Sequence, residues 1–466
     1  MYGTLKNIRI PLYSIVFFVV VLLTGCCNTR QSDSQYDMLL SEYTVKTALI
    51  DKKECSLLFQ EKEQLEREEL ILAVLDRNPS LAAARSALQA SIYRYPQATA
   101  LDDPMLSYSF APDSIGHKTF NNMPLRYGQT IELSQRVPFP GKRSLQGSMA
   151  LADSYKMEGE FELVKLELAL NASMLFDDYY LVQKAIEIND AHLVLLNDSK
   201  YSAESLYVTG AIGEQDWLQV GLEIDQILNE KAGLESQQKI VLAKINGLLH
   251  QKPESALPPP PKKLSSPVID IKNREQLEDE AIRCRPDLAS IRAQIEGSAA
   301  AIKLAELQYF PDFDIKASYD TLWDQPQYRP QVGVSMNIPF IQLEKRRSAV
   351  LEAACNKNRL ESEYLQLQDT VRVEIEEALQ GVLQNQRIVQ LWKDSGLPLA
   401  SEKLSSSQFS FESGQGTLMM VLEADRNLRT TELRLYNALA EAWRQKAQLD
   451  RALGKMPNNL LHNREE

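Results

Sequence analysis

The sequence predicts a mainly α-helical protein with a small β part, built from very long helical hairpins and four short strands. Three observations predict this. No proline occurs between Gly141 and Gln251, an interval rich in Leu, Ala, Glu and Gln. Within it Phe161, Leu168, Leu175 and Val182 recur every seven residues, the seam of a coiled-coil-like helix. Third, the run Leu133-Ser-Gln-Arg-Val-Pro-Phe-Pro-Gly-Lys-Arg143 returns, degraded, as Val334-Ser-Met-Asn-Ile-Pro-Phe-Ile-Gln-Leu-Glu-Lys-Arg-Arg347. Each copy alternates with period 2, ends on a proline and opens into a helical pattern. The proline suits both sides of the junction, since it ends a strand ladder and loses nothing in a helix's first turn.

Composition sets the outer limits. At 466 residues the chain is long enough for two or three ordinary domains, and 44% apolar with 24% charged residues describes a folded protein. A net charge of -12 makes nucleic acid a poor partner. It is compatible with an acidic lumen or a cationic cargo, and equally with an acidic surface kept for solubility. Cys26, Cys27, Cys55, Cys284 and Cys355 show no repeated CxxC spacing, so buried or incidental thiols are expected and no disulfide framework.

Taken in order, Lys6 and Arg9 precede the apolar run Ile10 to Leu23, which ends in Leu23-Thr-Gly-Cys26. This has the form of an export signal and is too short to span a bilayer comfortably. A plain signal peptide with a chance cysteine is one alternative. The other is a lipoprotein signal over 1–25, since Leu-Thr-Gly-Cys resembles the bacterial lipobox and would make Cys26 the lipidated residue. Residues 26–66 then form a polar N-terminal extension, helical or partly ordered. Residues 67–252 are a first structural repeat. Its opening helix runs from Glu68 with one proline interruption and closes at Pro96.

Two strands follow. Leu106, Tyr108 and Phe110 share one face of the first, with Ser107 and Ser109 on the other. In the second, Ile131, Leu133 and Val137 oppose Thr130, Glu132, Ser134 and Arg136. A helix from about Gly141 to Tyr207 would be roughly 100 Å long. It turns at Val208-Thr209-Gly210-Ala-Ile-Gly213, where glycines suit a left-handed turn, and returns to about Leu249.

A proline-rich linker at 253–270 separates a second repeat at 271–456, before a tail at 457–466. Pro286 echoes Pro79, Pro339 echoes Pro138 and Gly414 echoes Gly210, at offsets of 207, 201 and 204 residues, so an internal twofold repeat is expected. In this copy Phe313, Ile315, Ala317 and Tyr319 alternate with Asp314, Lys316, Ser318 and Asp320. Val332, Val334, Met336 and Ile338 alternate with Gly333, Ser335 and Asn337. A helix from about Gln342 carries Ile375, Val382 and Val389 on one stripe and is broken at Gly396-Leu-Pro398. It turns at Ser413-Gly414-Gln-Gly416-Thr417 and returns to Leu453.

Strands of this length with one apolar and one polar face match transmembrane β-barrel strands. A sheet packed on helices in a soluble protein is the alternative. Four strands close no barrel alone, and an open edge is not allowed in lipid, so membrane strands would have to be pooled between chains. Three chains would give twelve strands.

The order helix, two strands, long hairpin, linker, then the same again is similar to the outer-membrane factor (TolC-like) family of bacterial efflux and secretion channels. The Val137-Pro-Phe-Pro-Gly-Lys-Arg143 run most resembles its lipoprotein branch, which serves resistance-nodulation-division pumps. The resemblance covers roughly residues 67–455. It implies a homotrimer with a 12-stranded outer-membrane barrel and a periplasmic tunnel of helical hairpins. It further implies a periplasmic adaptor and an inner-membrane transporter as partners, and passive conduction of drugs, metal ions or other small molecules. A duct for type I protein secretion is built alike and stays open as an alternative.

On this mapping Ser107, Ser109, Thr130, Glu132, Ser134, Arg136, Asp314, Lys316, Ser318, Ser335 and Asn337 line the lumen. Leu106, Tyr108, Ile131, Leu133, Ile315, Tyr319, Val334 and Met336 face lipid, and loops 112–127 and 323–331 are extracellular. Val208, Thr209, Gly210, Gly213, Ser413, Gly414, Gly416 and Thr417 form the tips that meet the adaptor. Family members carry gating acidic residues just after the second tip, which here are matched by Glu423 first and Asp425 second, with Met420 a departure. Ordinary solvated helix charges are the alternative reading of both.

Met419-Met420 suggests soft-metal handling, but neighbours on a helix point different ways and packing is favoured. No cofactor is expected. His117, His192, His250 and His462 are scattered, and no HExxH, GxSxG or phosphate-loop pattern occurs, so an enzyme is not expected. A periplasmic adaptor lipoprotein is a rival of another class. It would carry one hairpin inserted in β-rich domains, against two equal hairpins here.

Overall fold

The computed structural model describes residues 30–50, 63–111, 119–120, 123–124, 128–267, 274–321 and 326–457. The fold is mainly helical with one small sheet. In chain order it runs α1 (Arg30–Ile50), α2 (Arg67–Arg77), α3 (Pro79–Ile92), α4 (Arg94–Thr99), β1 (Met105–Ala111), a short hairpin of β2 (Thr119–Phe120) and β3 (Met123–Pro124), β4 (Gly128–Val137), α5 (Lys142–Val208) and α6 (Glu214–Leu248). It continues with α7 (Arg274–Cys284), α8 (Pro286–Leu307), β5 (Phe313–Asp320), β6 (Pro330–Met336), α9 (Leu343–Leu391), α10 (Leu397–Glu412) and α11 (Leu418–Ala452). The expected opening helix is three pieces. Pro79 and Tyr93 stand at the breaks, and the Asn78 carbonyl-type side-chain oxygen accepts the Ser80 N–H to cap α3. Cys26 and most of the 112–127 loop lie outside the described residues.

The chain divides into two compact units. The first holds 1–52, 87–158 and 290–364, and with them the whole sheet. The strands are antiparallel in the order β1-β4-β5-β6, which leaves β1 and β6 as open edges among the described residues. In-register rows run Leu106–Leu133–Ala317–Val332 on one face and Ser107–Glu132–Ser318–Gln331 on the other. In this unit α1 packs by burying Leu39 and Tyr43. The Tyr43 hydroxyl donates to Glu158 Oε1 at 2.8 Å, and Tyr36 stacks on Tyr95 at 4.7 Å.

The second unit holds 53–86, 159–289 and 365–466. It buries the predicted seam: Phe161, Leu168 and Val182 are buried, as are Ile375, Val382 and Val389. Each large apolar side chain so buried contributes about 1.5–3 kcal/mol. Where the sequence predicts a break at Gly396-Leu-Pro398, a π-helical turn spans Trp392–Gly396 and Pro398 sits in the first turn of α10. The two hairpin turns share one geometry. Gly210 and Gly414 adopt φ of +73° and +74°. The following N–H groups reach back five residues, Ala211 to Leu206 O at 2.8 Å and Gln415 to Ser410 O at 2.9 Å. Only a residue without a Cβ takes that left-handed position at no cost, which is why glycine stands there twice.

Candidate functional site

In the sheet, alternation decides which way each side chain points. Ser107, Ser109, Thr130, Glu132, Ser134, Arg136, Asp314, Lys316, Ser318 and Ser335 fall on one face by register. Asn337 lies one residue beyond β6, not within it as expected. Its side-chain oxygen accepts the Asp312 N–H at 2.7 Å, which ends the ladder. On this face the Lys316 ammonium is 3.4 Å from Glu132.

The opposite face carries Leu106, Tyr108, Ile131, Leu133, Tyr319, Val332 and Val334. In the two central strands it is the more exposed face: Leu133 is 51% exposed, and Ile131, Ala317 and Tyr319 are exposed, while Thr130, Glu132, Ser134, Lys316 and Ser318 are half-buried. On the edge strands β1 and β6 both faces are exposed. A water-soluble sheet buries its apolar face. Here that face points out and forms a continuous apolar patch, as in a strand whose solvent is lipid.

In the helical unit both hairpin turns rest on one core. Leu196, Ala203, Val220, Ile224, Ile227, Leu418 and Leu422 bury together, with Trp217 and Phe411 packed against them. Above it Val208 is exposed, as are Thr209 and Gly210 on the first turn and Ser413 and Gly414 on the second. Gly213 and Thr417 hold extended backbone just before α6 and α11. Gly416 is half-buried against Ser410 and Phe411.

The two acidic candidates separate. Glu423 is exposed and lies 3.3 Å from Lys403. Asp425 is 6% exposed, and its carboxylate is committed to His192 Nδ1 at 2.7 Å. Burial therefore makes Asp425 a contact between helices in this chain, not a free charge. Glu432 stands 3.3 Å from His192 Nε2. Burial disfavours the imidazolium, but the hydrogen bonds to Asp425 and Glu432 outweigh it and raise His192 to about 9. Further pairs tie α11 to the first hairpin: Arg426 with Glu223 at 2.5 Å, and Arg429 with Glu230 at 2.5 Å and Asn189 at 3.3 Å.

One minor expectation is corrected. Met419 and Met420 are both exposed, not packed, because Leu418 and Leu422 take the core side of that turn. Cys284 and Cys355 are free and exposed. Among the described residues no group of three or more His, Cys, Asp or Glu is placed to hold a metal ion, and no helix is long and apolar enough to cross a membrane.

Residues 277–455 match the family model described as outer membrane efflux protein. Nodulation protein T of Rhizobium leguminosarum bv. trifolii is 22% identical over 330 residues, 67% of this chain and 68% of that protein. The fold is similar to that of the outer membrane protein VceC from Vibrio cholerae, with TM-score 0.72 and 18% identity over 84% of this chain and 96% of that one. It is equally similar to the outer-membrane channel OprN, with TM-score 0.72 and 15% identity over 86% and 94%. By sequence the second half of the chain is similar to the outer membrane efflux protein family, and by fold most of its length is similar to outer-membrane channels.

Proposed function

We propose that this chain is one third of an outer-membrane exit duct. Three copies pool their four strands into a 12-stranded barrel, and the helical hairpins continue it as a periplasmic tunnel. The observation that supports this best is the sheet: its apolar face is exposed and, among the described residues, both its edges are open. In lipid those edges must pair with other strands, because no water is present to satisfy their N–H and C=O groups. Its internal twofold repeat gives each chain two strand pairs and two hairpins.

In this duct Ser107, Glu132, Lys316 and their row neighbours line a water-filled lumen. Cys26 carries the lipid that fixes the chain to the membrane. The tips around Gly210 and Gly414 meet a periplasmic adaptor, which joins the duct to an inner-membrane transporter. Conduction is passive and the energy comes from that pump. The cargo is drugs, metal ions or other small molecules. Glu423, exposed on the turn after the second tip, is the charge available to narrow the inner mouth. The test is insertion of the purified protein into a planar lipid bilayer. Discrete conductance steps support the duct, and a bilayer that stays silent at saturating protein contradicts it.

A further inference from the structure

We propose that the junction between one chain's β6 and the next copy's β1 repeats the junction this chain makes internally between β4 and β5. It pairs Lys345 of one copy with Asp103 of the next. The proposal rests on the shared barrel above and names the contact that closes it.

The internal junction is built at the ends of the strands. The Phe139 ring stacks on Phe310 with centroids 4.7 Å apart. Asp312 Oδ1 accepts the Phe139 N–H at 2.9 Å and the Lys142 ammonium at 2.7 Å. Lys142 also donates to the Phe310 carbonyl at 3.2 Å. Arg136 reaches the other carboxylate oxygen of Asp312 at 3.4 Å, so one aromatic pair and one carboxylate with three donors join the end of β4 to the start of β5.

A second set of bonds shows which residues correspond in the other half. Arg143 Nε donates to the Thr99 carbonyl at the end of α4, at 2.8 Å. Arg346 Nε donates to the Gln308 carbonyl, just past the end of α8, at 2.9 Å. The same bond made twice matches Arg143 with Arg346, and therefore Lys142 with Lys345. It also matches Thr99 with Gln308. Carried forward along the chain, that offset places Leu101 on Phe310 and Asp103 on Asp312. Strand parity agrees, for Ser107 and Ser109 then fall on Lys316 and Ser318, and Leu106 falls on Ile315. Phe340 matches Phe139, each following the proline that ends its strand. The stretch from Phe340 to Lys345 is two residues longer than its counterpart.

Phe340, Asp103 and Lys345 are half a junction with nothing across from them among the described residues. Phe340 is 63% exposed, whereas Phe139 is half-buried under Phe310. Asp103 and Lys345 are exposed, and neither has a hydrogen bond or ion pair among the described residues. Phe340 and Lys345 sit beside the β6 edge, Leu101 and Asp103 beside the β1 edge. Opposite charges and matching apolar groups on opposite edges of one sheet are complementary between copies, not within a chain. The partner that fits is a second copy.

The test uses full-length protein in isolated outer membranes, with Cys27, Cys55, Cys284 and Cys355 replaced by serine. Asp103→Cys with Lys345→Cys is treated with a short bis-maleimide. Dimer and trimer bands absent from each single variant are expected. Separately, Lys345→Asp and Asp103→Lys should each lower the temperature at which the detergent-solubilised oligomer falls apart, and the double exchange should restore it. A trimeric mass with neither cross-link nor restoration overturns this junction and leaves the shared barrel standing. A monomeric mass in detergent overturns the barrel itself and the junction with it.

Discussion

His192 on α5 and Asp425 on α11 are 233 residues apart in sequence and 2.7 Å apart in space. The pair joins the first hairpin to the returning helix of the second, inside a layer from which water is largely excluded. Burial opposes charge on His192, yet the bonds to Asp425 and Glu432 hold its proton to about 9. A histidine held above its ordinary 6.5 stabilises the fold fully below that value and loses the contribution as pH rises through about 9. The contribution is about 2–3 kcal/mol at neutral pH. Helix melting followed by circular dichroism should therefore show wild type losing stability between roughly pH 7 and roughly pH 10 relative to His192→Gln. Parallel curves for the two proteins would refute a charged imidazole at this contact.

The two acidic residues after the second tip should behave differently when removed. Glu423→Ala takes away an exposed charge paired with Lys403, so melting should stay within about 0.5 kcal/mol. Its single-channel conductance should rise and block by divalent cations should weaken. Asp425→Ala removes the shorter of the two carboxylate contacts to His192 and should cost up to about 2–3 kcal/mol of stability. Unchanged conductance and block in Glu423→Ala would remove it as the constriction.

The two faces of the sheet give a sharper contrast. Leu133→Lys places a charge on the outward apolar face, and lipid exacts about 2–4 kcal/mol for it near the bilayer midplane. Ser134→Lys, one residue on, points to the polar face beside Lys316 and Glu132 and should be accepted. The yield of heat-resistant oligomer in outer-membrane fractions reads the difference. Equal yields from the two variants would mean that the face carrying Leu133 does not meet lipid.

Period and punctuation made most of the fold legible. The alternation at Leu106, Tyr108, Ile131 and Leu133 gave the strands and their faces, because side chains on a strand have no other way to alternate. Gly210 and Gly414 marked both tips, since the left-handed turn demands glycine. The polar contacts between helices were hidden. His192 looked incidental because its partners stand on a helix that only the tertiary fold brings near, and Arg426 and Arg429 carry no local signature either. The burial of Asp425 against His192 was hidden for the same reason. Helical spacing shows which residues share a face, but not whether that face meets solvent or another helix. Asn337 continued the alternation of β6 on paper, while its amide capped the Asp312 N–H just past the strand's end.

The central claim is that several copies of this chain pool their strands in a membrane. It is tested most directly by extracting the mature protein from membranes in detergent and determining its protein mass by light scattering. The account predicts a particle of three chains that precipitates when detergent is withdrawn. A single chain that stays in solution without detergent would contradict it, because the outward face of Leu106, Leu133 and Val334 would then have no lipid to meet.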